Sequence, residues 1–181
     1  CDLNSLKERL FLISKSDFWD PGLGFGLLKG GYFRKMIDEL LPIKQMQDCP
    51  TPLALSTYDI KQKKTVVYTQ GKLVPLIYAS CALPILFQPI KYDNRWLSDG
   101  GIKDRPALAS IEDGERVLYH HIASRSPWRR KNSPALELPK KDNLVGIAIE
   151  GLPRSGPDKL HKGQEAWLLA NQTMKHLLQQ P

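Results

Sequence analysis

Three cysteines, four histidines and an aspartate set before paired glycines are the residues of this 181-residue chain whose types could do chemistry. A thiol reaction would need Cys81 as nucleophile and His120 or His121 as base. Cys81, however, stands in an apolar run where a buried, inert thiol is normal, and no local cysteine-protease signature surrounds it. Adjacent His120 and His121 would point to opposite faces of a strand, and His161 and His176 are distant in sequence, so this spacing gives no metal site. Cys1, Cys49 and Cys81 are too widely spaced for a CxxC pair or a disulfide framework, which fits a reducing compartment. Asp99-Gly100-Gly101 joins a carboxylate, which can accept a proton, to glycines that permit close backbone approaches. Taken alone, an aspartate before Gly-Gly reads as a turn residue.

The elements that must position these residues alternate between helix and strand. Leu3, Leu6, Leu10, Phe11 and Ile13 repeat at helical spacing and predict a first helix over 3–13, with Asp2, Asn4 and Ser5 available as caps. Residues 18–29 are rich in glycine and aromatics, with Asp20-Pro21-Gly22 as a turn, and read as an ordered loop. A helix follows Gly30-Gly31, carried by Tyr32, Phe33, Met36, Ile37, Leu40 and Leu41 and ended by Pro42. Residues 52–58 and 65–69 form a hairpin around the polar residues 59–64. Residues 73–82 read as a buried helix with Pro75 tolerated in its first turn, and a short strand after Pro84 and Pro89 precedes residues 95–98. Runs 116–122 and 144–149 have the look of interior strands, and 162–180 of a last helix whose apolar face holds Ala166, Leu169, Ala170, Met174, Leu177 and Leu178. The pattern predicts an α/β fold with three-layer packing.

Hydrophobic residues make up 41% of the chain and charged residues 25%, which excludes a disordered tail and a fibrous repeat and suits one folded domain over 1–181. The longest apolar-dominated run, 73–87, is broken by Pro75, Ser80 and Pro84 and is too short to cross a bilayer. A formal net charge of +7 favours anionic partners through long-range attraction. Much of it gathers in a basic, proline-containing surface loop over residues 124–141, with Arg125, Arg129, Arg130, Lys131, Lys140 and Lys141. Trp128 lies in that cluster, so contact with anionic lipid headgroups is one use for it. Stacked aromatics, a helix-turn-helix pattern and a zinc-finger pattern are lacking, which argues against nucleic acid as the partner.

The run Ala79-Ser80-Cys81-Ala82-Leu83-Pro84-Ile85-Leu86-Phe87-Gln88-Pro89, followed ten residues later by Asp99-Gly100-Gly101, resembles the patatin-like phospholipase family. In that family an A-S-x-A-x-P-x-x-F-x-P segment precedes a strand ending in D-G-G. Phe18-Trp19-Asp20-Pro21-Gly22, Gly26-Leu27-Leu28-Lys29-Gly30 and Phe33-Arg34 are similar to the family's connection into its next helix, so the likeness extends over residues 3–122. The resemblance implies a three-layer α/β/α patatin-like fold and a serine acyl hydrolase of lipids working through a Ser-Asp dyad. Asp99 is then the catalytic base, with Gly100 and Gly101 as its motif glycines. It implies a lipid or lysophospholipid substrate, no cofactor and no metal, a cytoplasmic or peripheral-membrane location, and an acyl-chain site that Leu83, Pro84 and Phe87 could line. Asp104 and Pro106 resemble the continuation of the D-G-G turn in structural roles, with Arg105 where a small polar residue is more usual.

One part of the family pattern has no counterpart. The nucleophile's G-x-S-x-G elbow and its glycine-rich oxyanion loop do not occur, and the closest string, Gly22-Leu23-Gly24-Phe25-Gly26, has Gly24 in place of serine and follows the first helix. With Cys1 in place of an initiating Met, the expectation is a truncated C-terminal portion of a patatin-like domain that supplies the aspartate of the dyad. The alternative is a noncatalytic remnant or membrane-surface interaction module without its own nucleophile.

Overall fold

The computed structural model describes residues 3–121 and 137–179. Helix α1 (Leu3–Phe11) is amphipathic, and Arg9 donates to the carbonyl of Glu39 at 3.2 Å. The glycine-rich stretch after it is not wholly loop. Residues Gly26–Leu28 form strand β1, which pairs in parallel with β4 (Ile85–Phe87), Gly26 opposite Ile85 and Leu28 opposite Phe87. A Cβ on Gly26 would lie 2.4 Å from the backbone carbon of Phe87, so only glycine allows this approach. The Gln88 amide donates to the carbonyls of Leu23 at 3.0 Å and Gly26 at 3.3 Å and ties the loop to β4.

Helix α2 (Gly31–Leu40) starts from Gly30, which holds a left-handed φ of 73°. A side chain there would meet the Tyr78 ring 2.2 Å away. Gly30 has no side chain to cap the helix, and Asp20 does so instead. Its carboxylate accepts from the N–H groups of Gly30 at 2.9 Å, Gly31 at 2.5 Å and Tyr32 at 3.2 Å, where a helix leaves donors without intrahelical partners. At the other end Leu41 is extended, as the residue before Pro42 should be.

Strands β2 (Leu55–Asp59) and β3 (Lys64–Tyr68) make the expected hairpin. Its tip is set by Asp59, whose Oδ1 accepts from the N–H groups of Lys61 at 2.9 Å and Gln62 at 3.0 Å, while Lys63 turns through a φ of 53°. Asp59 is buried, and Arg95 meets its other oxygen at 3.3 Å. Strands β5 (Ile90–Tyr92) and β6 (Arg95–Asp99) form a second hairpin, joined by Asp93 and Asn94, both at positive φ as a tight two-residue turn demands. The antiparallel sheet order is β3-β2-β6-β5.

Helix α3 (Leu73–Cys81) covers this sheet, burying Leu73, Leu76 and Ala79 with Met46 and Leu97. Pro75 sits in its first turn, where the missing N–H has no intrahelical partner to lose. Tyr78 is fully buried between Phe33 and Phe87, and its hydroxyl donates to the Gln88 carbonyl at 2.6 Å. The chain is thus a mixed α/β fold whose sheets remain open.

By its internal contacts the chain divides into two compact units, Cys1–Arg9 with Ser16–Glu112, and Leu10–Lys15 with Asp113–Pro181. The elements from β1 to β6 belong to the first. In the second, β7 (Val117–His121) and β8 (Leu144–Ala148) pair in parallel, and α4 (Lys162–Leu178) follows. The expectation of interior strands fails here, because Leu118 is 71% and Val145 65% exposed. A two-stranded ribbon cannot bury both of its faces. Leu118, Ile147, Trp167, Ala170 and Met174 instead line an open pocket of about 350 Å³. On α4, Ala166, Ala170 and Met174 are half-buried as its apolar face predicts, whereas Leu169 and Leu177 are exposed. Of the basic loop, Arg125, Trp128, Arg129, Arg130 and Lys131 lie outside the described residues, and Lys140 is exposed.

Candidate active site

Asp99 ends β6, opposite Thr57 on β2. On its other side β6 pairs with β5 only as far as Leu97 and Ile90, since the residue before Ile90 is Pro89, which has no N–H to give a ladder. The last two residues of β6 turn to another acceptor, the carbonyl of Ala82. It receives the Asp99 N–H at 3.1 Å and the Ser98 hydroxyl at 2.7 Å, the latter buried. Ala82 ends α3 with φ −74° and ψ 76°, and the Leu83 N–H donates back to the Cys81 carbonyl at 2.8 Å. These are the marks of an inverse γ-turn. The two sequence segments that carry the family resemblance therefore meet at one oxygen.

The glycines are required by their surroundings. Gly100 and Gly101 open a short 3₁₀ turn, Gly100–Ile102, capped by Asp99 itself, whose Oδ1 accepts the Gly101 N–H at 2.7 Å. A Cβ on Gly100 would lie 2.3 Å from the Ser56 carbonyl oxygen, so the turn can lie against β2 only without a side chain. Asp104 closes the arrangement. Its N–H donates to the Gly100 carbonyl at 3.0 Å, and its carboxylate accepts from the N–H groups of Leu108 at 2.9 Å and Ala109 at 3.0 Å and from the Ser56 hydroxyl at 3.2 Å. With two backbone donors already on it, this carboxylate anchors the turn and the 3₁₀ helix at Leu108–Ser110. That is the structural role its place in the sequence suggests. Ser56 was not legible as part of this region, because it sits inside an ordinary hairpin strand and only the fold brings it to Gly100.

The half-buried Asp99 carboxylate accepts the Gly101 N–H on Oδ1 while the residue's own N–H is fixed on Ala82, and its chemistry is that of a proton acceptor. Among the nearby serines, Ser80 donates to the Ile77 carbonyl at 2.9 Å within α3, Ser98 to Ala82 and Ser56 to Asp104. Cys81 is exposed as a residue, with its sulfur 3.8 Å from the Ser80 hydroxyl. Desolvation pushes its thiol above the ordinary value and the negative charge of Asp99 adds to this, while the Ser80 hydrogen bond works the other way. A thiol held protonated is a poor nucleophile, which weighs against the Cys81 reading.

Leu83 and Pro84 are exposed beside the γ-turn, whereas Phe87 is buried, its ring stacked on Phe33 at 5.3 Å and edge-on to Tyr78 at 5.9 Å. The structure places the first two at the surface and the third in an aromatic cluster. His120 and His121 belong to the second unit, where His121 is buried with its Nδ1 3.3 Å from the Tyr119 hydroxyl and His120 lines the open pocket. Among the described residues, no three His, Cys, Asp or Glu side chains converge as metal ligands would.

Comparison with known proteins identifies the family. The family model described as patatin-like phospholipase matches residues 3–110. The chain is 25% identical over 166 residues to Patatin-2-Kuras 2 of Solanum tuberosum, covering 80% of this chain and 42% of that protein. It is 29% identical over 93 residues to an uncharacterized NTE family protein of Mycobacterium tuberculosis, covering 51% of this chain and 26% of that one. The same identity and coverage hold for an uncharacterized NTE family protein of Mycobacterium bovis. The chain thus spans less than half the length of the relatives it matches.

Proposed function

Because the chain belongs to the patatin-like phospholipase family, we propose that the protein it comes from is a serine acyl hydrolase of lipids and that Asp99 is the base of its Ser-Asp dyad. In this reading the carboxylate takes the proton of the attacking serine hydroxyl and passes it to the alcohol that leaves as the ester bond breaks and the acyl-enzyme forms, then takes a proton from the water that releases the acyl group as the free acid and returns it to the serine. The observation that carries the proposal is the placement of Asp99 at a strand end, its backbone N–H on Ala82 and its Oδ1 on the Gly101 N–H. Such a carboxylate is held in one orientation before substrate arrives, which is what proton transfer at a fixed distance needs. No G-x-S-x-G lies in the 181 residues, so the serine belongs to chain beyond them. The substrate is a lipid or lysophospholipid, with Leu83 and Pro84 beside the site as candidate acyl contacts and Phe87 supporting them from the aromatic cluster.

The test is hydrolysis of a chromogenic short-chain ester by the full-length gene product, beside its Asp99→Asn variant and beside the 181-residue chain. Turnover by the full-length protein, its loss by at least about a thousandfold in the variant, and silence of the shorter chain are the expected results. Unchanged turnover in Asp99→Asn overturns the assignment. Activity of the shorter chain would place the nucleophile inside these residues, and no turnover by any of the three would leave a noncatalytic interaction module.

A further inference from the structure

The hairpin tip between β2 and β3 and the row of side chains beside it have no part in the arrangement around Asp99. The tip runs Ile60-Lys61-Gln62-Lys63-Lys64, and all five side chains are exposed. The Ile60 N–H donates to the Trp96 carbonyl at 2.9 Å, continuing the register that pairs Asp59 with Leu97, and Trp96 lies opposite Lys91 on β5. Residues directly opposite in an antiparallel ladder share a face. Ile60, Trp96 and Lys91 therefore form one row across three strands, on the side away from Leu97 and the core under α3. Ile60 and Trp96 are each 40% exposed.

The charge around this row has one sign. Residues 60–64 and 91–96 carry Lys61, Lys63, Lys64, Lys91 and Arg95 against the single acid Asp93. Arg95 is engaged with the buried Asp59. Among the described residues, Lys61, Lys63 and Lys91 pair with no carboxylate within 4.0 Å, so their charge faces outward, whereas Lys64 lies opposite Asp59 on the other face of the sheet. An exposed tryptophan on a strand and an exposed isoleucine at the adjoining turn, flanked by unpaired lysines, match the layering of a bilayer surface. The rings and aliphatic carbons reach the level where headgroup meets acyl chain, and the ammonium groups remain among the phosphates.

We propose that this tip docks the protein on a lipid surface rich in anionic headgroups, with Lys61, Lys63 and Lys91 as its electrostatic contacts and Ile60 and Trp96 as its apolar ones. Charge complementarity selects the anionic lipid, and the adjoining apolar pair selects a bilayer over a nucleic acid, whose bases would need aromatic platforms that the tip does not repeat. The proposal is independent of the ester chemistry, because attachment to a surface is read without turnover.

The experiment is co-sedimentation of the 181-residue chain with vesicles of phosphatidylcholine alone and of phosphatidylcholine mixed with phosphatidylserine. The chain should sediment with the mixed vesicles only, and raised salt should release it. The triple variant Lys61→Gln, Lys63→Gln, Lys91→Gln should partition on the order of a hundredfold more weakly, given the usual contribution of each lysine near an anionic surface. Trp96→Gln should weaken partition without changing its salt dependence. A third variant, Arg129→Gln, Arg130→Gln, Lys131→Gln, separates the tip from the basic loop. Far-UV circular dichroism of each variant verifies that it is folded, and should the triple variant fail this, Lys91→Gln and Trp96→Gln decide the matter. Equal sedimentation of wild type and tip variants overturns the proposal, as does loss confined to the basic-loop variant or retention by duplex DNA with none by vesicles.

Discussion

Replacing Asp20 tests whether helix α2 is held by one side chain from outside it. In Asp20→Ala the N–H groups of Gly30, Gly31 and Tyr32 lose their acceptor together. Loss of an N-terminal cap costs about 1 kcal/mol, and up to about 2 in demanding contexts. Gly30 is buried, so water does not easily replace the acceptor there, and the cost moves toward the upper end of the about 1–3 kcal/mol of an orphaned buried donor. The expected loss is about 2–3 kcal/mol. Asp20→Asn keeps one acceptor oxygen and loses the charge that favours a helix N-terminus, and should cost about 1 kcal/mol. Global unfolding is a poor readout for a chain of two units, so amide hydrogen exchange at Gly30, Gly31 and Tyr32 is the better assay. The alanine variant should speed that exchange by about 30- to 150-fold and the asparagine variant by about fivefold, at roughly tenfold per 1.4 kcal/mol. Exchange within twofold of wild type in both variants would refute the reasoning and return Asp20 to the role of a plain turn residue.

Gly100→Ala introduces a Cβ only 2.3 Å from the Ser56 carbonyl oxygen, and backbone rather than a flexible side chain would have to yield. Destabilisation of about 1–3 kcal/mol is expected, with the Gly101 N–H moved off Asp99, and a fall in ester turnover exceeding any fall in folded fraction checks it. Cys81 should react with iodoacetamide at higher pH than an ordinary thiol, because burial and the charge of Asp99 both favour the neutral form. In Asp99→Asn the second of these causes is gone, so the reactivity profile should move toward lower pH, and a profile that does not move would remove the coupling between the two residues.

Local patterns carried most of the first unit. The hairpin around residues 59–64, the α2 stripe from Phe33 to Leu41 and the proline-tolerant start of α3 each depend on neighbours a few residues away, where periodicity and turn chemistry operate. Strand β1 was hidden for the opposite reason. It has three residues, and its partner strand begins at Ile85, far along the chain. Asp20 was visible as a turn former, but the donors it accepts from are fixed only when β1 brings Gly30 beside it. The motif residues Asp99, Gly100 and Gly101 were legible as a group, whereas nothing in the sequence marks the carbonyl of Ala82, since every residue has one. The runs at 116–122 and 144–149 misled because apolar content reports what a strand could bury and not whether a covering layer is present.

The shared acceptor at Ala82 bears on how tightly the two motifs are tied in sequence. The stretch between them, β5, its two-residue turn and β6, is a loop pinned at both feet, so its length is set by the hairpin and not by the distance between the motifs in space. Extra residues at Asp93 and Asn94 would lengthen a protruding finger while the Asp99 N–H kept its place on the same oxygen. In a lineage of such proteins the interval between the proline-phenylalanine-proline segment and D-G-G is therefore free to drift, and a search that fixes that interval would pass over members whose sites are built the same way.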